Sequence, residues 1–551
     1  MTGFRFSVPQ AFCLTLILLV MSLSASAQTY TDLHDFSPVG GDPSYFNVAG
    51  WIPQGRDGNL YGVSHFGGTS DIGTVFSMTP TGTPTILASF IGSNGSYPFS
   101  GLTLGTDGNF YGVGSLGGTS NAGTIVKVTP TGTLTVLYNF TGVGDGGYPT
   151  FPPVQAADGN FYGVASGNDS GNQLTSAFYK ITPTGTFTVL HVFTTAEGNQ
   201  CSGVILGSDG NFYGACNFGG ANSDGTLYKV STAGKVTVLH NLNGIDGQYP
   251  GALVPVEGKD GNYYGVTYLG GSANSGVVYQ LKPSGAYTVL HNFTGGSDGG
   301  FPLAPLTLAT DGKLYGTTSN GGNVIACPSG TIGCGVIFKI TTTGAFTVLH
   351  TFGFTEGAYP QSNLTLRTDG LFYGDTFSGG AMGQGVFYSL STGIQPFVSL
   401  VTTSGKEGAK IGILGQGFSR SSVVKFGGIA ATSIALTGTT FINATVPTGA
   451  LTGAVTVTTG SSTLTSAQTF KVKPTLLSFS PGSGSVGTSV MITGTGLTQA
   501  SKVTFNGTSA TFTVNSDALV TATVPTGATT GKISVITSGG SATSGTNFTV
   551  N

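Results

Sequence analysis

The sequence predicts an all-β protein: a seven-bladed β-propeller at residues 28–394, closed by an N-terminal strand, then two small β-sandwiches at 395–472 and 473–551. Three observations carry this. The stretch DGNFYG, or a near copy, occurs seven times, with its aspartate at Asp57, Asp107, Asp158, Asp209, Asp260, Asp311 and Asp369. A period of about 50 residues built from short alternating apolar and polar runs is how propeller blades look in sequence. After Gly393 the chain turns to Val, Ile and Thr runs punctuated by Gly and Ser, in two related units. Composition agrees. The 93 glycines follow no Gly-X-Y register, which excludes collagen, and an aromatic content of 11% excludes a disordered chain.

One repeat reads in full over residues 101–140. Leu102-Thr103-Leu104 is a short strand, and Asp107-Gly108-Asn109 is a tight turn whose Gly and Asn tolerate positive φ. Phe110-Tyr111-Gly112-Val113 is a second strand, followed by a Gly-rich loop. Residues 124–128 form a third strand, Pro130-Thr131-Gly132 a second tight turn, and residues 134–140 a fourth strand. Four antiparallel strands of this length make one blade.

Closure follows from counting. A fourth-strand signature, clearest as Leu290-His291-Asn292-Phe293, recurs at 33–36, 87–90, 137–140, 190–193, 239–242, 290–293 and 349–352. The first copy precedes the first DG turn, and the seventh repeat, 369–390, has none after it. Residues 30–36 are therefore expected to supply the fourth strand of the seventh blade, which removes exposed sheet edges.

The N-terminus reads as a secretion signal. Arg5 supplies the positive region, residues 11–23 (AFCLTLILLVMSL) the apolar core, and Ala25-Ser26-Ala27 a small-residue cleavage site before Gln28. Roughly 20 apolar residues are needed to span a bilayer, more than this run offers, and no later run is apolar enough. Cys13 lies inside the apolar core rather than after the cleavage site, which argues against lipid attachment. The expected location is extracellular or at the cell surface. Net charge is −3, with no basic stripe for nucleic acid and no polybasic segment for anionic lipid.

Four cysteines remain after the leader. An even number in an exported chain predicts two disulfides. Cys201 and Cys216 flank one strand–turn–strand unit whose turn brings its ends together, and Cys327 and Cys334 enclose a short loop. The expected pairs are thus 201–216 and 327–334. No histidine lies near them at zinc-ligand spacing.

Landmarks repeat in the C-terminal units: Gly415-Gln416-Gly417-Phe418 with Gly494-Thr495-Gly496-Leu497, and Ala444-Thr445-Val446-Pro447 with Ala522-Thr523-Val524-Pro525. The run SFSPGSGSVGTSVMITGTGL at 478–497, with VTFNG at 503–507, resembles the opening strands of IPT/TIG immunoglobulin-like domains. The first unit departs from that pattern at Thr402-Thr403-Ser404-Gly405. The resemblance implies two Ig-like sandwiches serving as spacers or adhesion modules. Residues 107–137 (DGNFYGV, then GG, then GTIVKVTPTGTLTVL) resemble the GloVer-type tandem repeat of exported, variably anchored bacterial proteins, and the likeness extends over about 29–394. It implies export and a propeller, and no reaction. A weaker similarity to NHL-type repeats points to the same architecture.

Blade topology locates the variation. The first–second and third–fourth turns are tight and share one end of the blades. The second–third and fourth–first loops are long, share the other end, and hold most of the differences between repeats, including 166–176 and both cysteine pairs. This loop face is the expected binding surface for an extracellular glycan or surface protein. His65, unique to its repeat, and the aromatics Phe66, Tyr268 and Phe377, expected to be exposed, are its candidate binding residues. The other five histidines occupy one fourth-strand position and read as packing or hydrogen-bonding groups.

No HExxH, zinc, GxSxG or phosphate-loop pattern occurs, so no catalytic residue is assigned and no enzyme is expected. Single acids recur in the fourth–first loops (Asp145, Asp246, Asp298, Glu356). Calcium needs several converging oxygens, so no cofactor is expected unless neighbouring repeats cooperate. Asp375 stands where the other repeats carry Val63, Val113, Val164, Ala215, Val266 and Thr317. It either lines the central channel edge or pairs locally, and it is the residue an alternative polysaccharide-active enzyme would use, although such chemistry normally takes a second carboxylate.

Overall fold

The computed structural model describes residues 28–37, 52–169, 173–250, 254–328 and 332–551. The expected leader lies outside them, as does the tip of the loop at 166–176. The described residues form β-strands and turns with one short 3-10 helix, Phe354–Glu356. No helix among them is long and apolar enough to cross a membrane.

Seven antiparallel sheets arise from the seven repeats. In the second, Thr103–Leu104, Phe110–Gly114, Thr124–Val128 and Leu134–Asn139 lie side by side in chain order. Second strands such as Phe110–Gly114 are buried at every residue, while fourth strands such as Leu134–Asn139 are half-exposed. Burial on both faces explains why the second strands are rich in aromatics and valine throughout. The first sheet is the exception, with three strands and a single bridge from Gln54 to Leu60. Pro53, which has no amide to donate, interrupts the ladder there.

The seventh sheet takes its fourth strand from the N-terminus. Thr29–Asp35 pairs antiparallel with Val386–Ser391, Tyr30 opposite Leu390 and Asp35 opposite Val386. In every sheet the pairing of third and fourth strands slips by one residue at the same place. The residue skipped is always the leucine of the fourth-strand signature, Leu33 included. That leucine is a β-bulge, which bends the outer strand and sharpens its twist.

Adjacent sheets meet in cyclic order. Tyr61 stacks on Phe110, Tyr111 on Phe161, and Tyr213 on Tyr263, with ring centroids 3.7–4.0 Å apart. Tyr162 meets Phe212, and Tyr315 meets Phe372, at 4.7 and 4.3 Å. Tyr264 shares a core cluster with Leu314, and Tyr373 of the seventh sheet shares one with Leu60 of the first. The final glycine of the DGNFYG motif has its own reason. A Cβ on Gly163, Gly214, Gly265 or Gly374 would stand 2.3–2.5 Å from a third-strand tyrosine hydroxyl, so only glycine admits the ring.

Residues 399–472 form two sheets, and residues 475–550 form two more with the same strand order. Each pair encloses its own core, around Phe426 and Phe470 in the first and Phe505 and Phe548 in the second.

Candidate functional site

The two ends of the seven sheets differ in chemistry. At the tight-turn end, Asp57 accepts hydrogen bonds from the Asn59 amide at 3.1 Å, the Asn59 side chain at 2.7 Å and the Tyr61 hydroxyl at 2.9 Å. The same set recurs at Asp107, Asp158, Asp209 and Asp260, as at Asp209 with Asn211 and Tyr213. The repeated aspartate therefore ties its turn to the inter-sheet tyrosine. Every Lys and Arg of residues 28–394 lies at this end or on a third strand running toward it. The sheets of 399–472 also dock here. Thr440 donates to the Arg56 carbonyl and Gln416 to Thr368 Oγ1, both at 2.8 Å, and Lys471 donates to the Ser208 carbonyl at 2.9 Å. The Arg56 guanidinium lies 4.5 Å over the Phe441 ring.

The loop end is built from a wedge in the fourth–first crossing. Tyr97-Pro98, Tyr148-Pro149, Tyr249-Pro250, Phe301-Pro302 and Tyr359-Pro360 occupy equivalent places. Each aromatic residue has a left-handed backbone, φ between 44° and 58°. Its amide donates to the preceding repeat, from Tyr97 to the Ile72 carbonyl and from Tyr148 to the Ala122 carbonyl, both at 2.7 Å. The proline then packs on the glycine that opens the neighbouring third strand. A Cβ on Gly73 would lie 2.5 Å from Pro98 Cδ, and one on Gly123 would lie 2.6 Å from Pro149 Cδ. In the crossing to the fourth sheet the pair is Gln200-Cys201. Cys201 is bonded to Cys216 across the sheet, and Cys327 to Cys334 in the second–third loop of the sixth repeat.

His65 and Phe66 meet this wedge. The His65 ring lies 4.7 Å from Phe66, 5.2 Å from Tyr97 and 5.7 Å from Phe99, and burial pushes its pKa down. Tyr268 meets Phe301 at 5.7 Å, and the Phe377 amide donates to the Tyr359 carbonyl at 3.2 Å. Phe66, Tyr268 and Phe377 are half-buried rather than exposed; Tyr97 packs against the Phe66 ring and Phe301 against the Tyr268 ring, each at 5.7 Å. Phe218, 37% exposed and edge-on to Tyr249 at 5.0 Å, was not singled out in the sequence. Nor were the wedge aromatics. Their recurrence before proline is visible in sequence, but their left-handed backbone is not.

Asp375 fulfils neither expectation. It is fully buried, so it lines no solvent-filled channel, and its carboxylate oxygens make no well-formed hydrogen bond. Its amide donates to Ser362 Oγ at 3.3 Å. Burial pushes its carboxyl up to about 7, against the opposing pull of the neighbouring Ser362 hydroxyl.

The acids of the crossing loops serve their own repeats. Asp246 pairs with His240 at 2.8 Å, Asp298 with His291 at 3.1 Å, Glu197 with His191 at 2.9 Å and Glu356 with His350 at 3.3 Å. Asp145 accepts from the Tyr138 hydroxyl at 2.9 Å and from the Thr141 and Gly142 amides. The fourth-strand rings also stack on the next repeat: His240 on Tyr287 and His291 on Phe346 at 4.0 Å, and His350 on Tyr30 at 4.1 Å. Among the described residues no three His, Cys, Asp or Glu side chains converge as a metal site.

The family model described as the Gloeobacter/Verrucomicrobia repeat matches residues 19–175 and 149–332, and the IPT/TIG domain model matches 474–550. No curated protein matches the chain at a significant level. Among solved structures it is similar to SGBP-B from a complex xyloglucan utilization locus in Bacteroides uniformis. The identity is 19% over 28% of this chain and 48% of that one, with TM-score 0.15, so the chain spans about half of that protein. It is also similar to a fungal alcohol oxidase of the AA5 family in complex with copper, 13% identical over 94% of this chain and 100% of that one, TM-score 0.39. A protein from Lactobacillus plantarum is 18% identical over 60% of this chain and 99% of that one, TM-score 0.37.

Proposed function

We propose that this chain, which belongs to the Gloeobacter/Verrucomicrobia repeat family, is an exported, non-catalytic recognition protein of the cell surface or extracellular space. Its seven sheets are the blades of one closed propeller, residues 395–472 form a second Ig-like sandwich beside the IPT/TIG domain, and both sandwiches act as spacers. The propeller's loop face recognises an extracellular carbohydrate or surface protein. One observation supports this reading above the rest. Every exposed large hydrophobic side chain described in residues 28–394, from Ile91 and Val143 to Ile325 and Met382, lies on a loop of that face or at a strand end entering it. The opposite face carries the cations and the docked sandwich. Exposed apolar side chains gathered on one face are what a binding surface presents.

An extracellular polysaccharide-active enzyme is the alternative; Asp375, with its carboxyl near neutrality, is the residue it would employ, and its complete burial weighs against that reading. Glycan and surface-protein arrays probed with the mature chain, followed by assay of the bound glycans for new reducing ends, separate the two. Retention without cleavage is expected. Cleavage that Asp375→Asn abolishes would overturn the non-catalytic reading.

A further inference from the structure

Five aromatic residues of the loop face carry a backbone cost that their turn does not require. Tyr97, Tyr148, Tyr249, Phe301 and Tyr359 all sit at positive φ, where a bulky side chain is a steric outlier. Apart from Gln200, the other left-handed positions among the described residues are held by Gly, Asn, Asp or Ser. The wedge uses the backbone of the residue and the proline that follows, so Gly or Asn would build it with less strain. The rings add contacts to the second–third loops, Tyr97 with His65 and Phe66, Tyr249 with Phe218 and Phe301 with Tyr268. Burial does not account for the rings either. All five stay partly exposed, Tyr148 at 37%.

The charge of this face narrows what the rings meet. Lys and Arg are confined to the opposite end and the third strands that run toward it. Asp145, Asp246, Asp298 and Glu356 are engaged by the histidine or tyrosine of their own repeat. Asp71 and Asp224 of the second–third loops likewise accept hydrogen bonds within the face, from the Gly67 amide and the Gln248 side chain. A polyanion therefore meets acids and no Lys or Arg here, and what remains for a ligand is a circle of aromatic faces with polar loops between them.

We propose that this aromatic collar is a binding site for a neutral polysaccharide, whose sugar rings stack on Tyr97, Tyr148, Tyr249, Phe301 and Tyr359. The proposal rests on the loop end being the recognition face. Sugar rings present apolar C–H faces rimmed by hydroxyls, which suits an aromatic side chain with one face dry and its edge wet. The left-handed backbone and the proline wedge set each ring before the ligand arrives, so little conformational freedom is lost on binding.

The test uses affinity electrophoresis and calorimetry of the mature chain with a neutral glucan, mannan and xylan, and with a polygalacturonate. Asn is the informative replacement, because it tolerates the left-handed backbone while deleting the ring. Each of Tyr148→Asn, Tyr249→Asn and Tyr359→Asn is expected to weaken binding of a neutral polymer about threefold to tenfold. The triple variant should abolish measurable binding with the thermal midpoint unchanged. Tyr→Phe at the same positions should retain it. Wild-type affinity in the folded triple variant would overturn the collar while leaving the recognition face intact. Preference for polygalacturonate would also overturn it. If the wild-type chain bound none of the polymers, the collar would fall, and a surface protein would be left as the partner of the recognition face.

Discussion

Replacing Asp375 by valine, the residue at this place in four other repeats, should stabilise the protein, and by an amount that depends on pH. The carboxyl is fully buried, lacks a well-formed hydrogen bond, and is pushed up from 3.8 to about 7. Its folded value thus lies above its unfolded one, so the folded chain holds more protons between those limits and loses stability as pH rises through them. At 1.36 kcal/mol per unit, the full gap costs about 4 kcal/mol near pH 8 and only about 2 kcal/mol near pH 5. Asp375→Val removes the whole cost, so its advantage over wild type should grow by about 2 kcal/mol between those pH values. All 21 tyrosines precede residue 389, so near-ultraviolet circular dichroism during urea unfolding reports the seven-sheet part without the sandwiches. Subtracting variant from wild type at each pH cancels the histidines and other titrating groups. A flat difference between pH 5 and 8 would refute the reasoning, since it would mean the carboxylate is solvated or paired.

Three other outcomes are expected. Tyr30→Ala deletes the stack on His350 and the 2.7 Å hydrogen bond to the Glu356 carbonyl. It should cost about 3–4 kcal/mol in urea unfolding, and a neutral effect would show that the N-terminal strand is not docked. Asp209→Ala removes the bonds to Asn211 and Tyr213 and should cost about 1–3 kcal/mol at neutral pH. The Asp107, Asp158, Asp209 and Asp260 carboxyls are held below their usual range, mainly by Asn and Tyr hydrogen bonds that outweigh burial. Their stabilisation is complete above the unfolded value and is lost as pH falls through the folded one, so acid titration of Asp209→Ala should show a shallower loss than wild type. Finally, alkylation of the leader-free chain followed by intact mass should add nothing before reduction and four groups after it. Any alkylation before reduction would break the assigned pairing.

Much of the fold was legible because its signals are local and repeated. The DG turn, the apolar second strand and the Leu-x-x-Phe signature each recur once per period, and the surplus signature at 33–36 already named the partner of the seventh sheet. That its leucine is a bulge was not legible, because a bulge is a property of pairing between two strands. The acids of the crossing loops show the same limit. Sequence placed Asp246 six residues after His240, but only the returning loop brings the two to 2.8 Å.

The candidate site divides along the same line. Sequence alone determined which end of the repeats varies and that its acids come singly, since these follow from strand order and composition. The tertiary structure decided which side chains face outward. Phe66 and Tyr268 looked exposed until the crossing loops brought Tyr97 and Phe301 beside them, and Asp375 looked reachable until the sheets closed around it. Exposure and backbone handedness belong to the packed chain, where residues some 30 positions or more apart meet. No local pattern in the sequence encodes that distance.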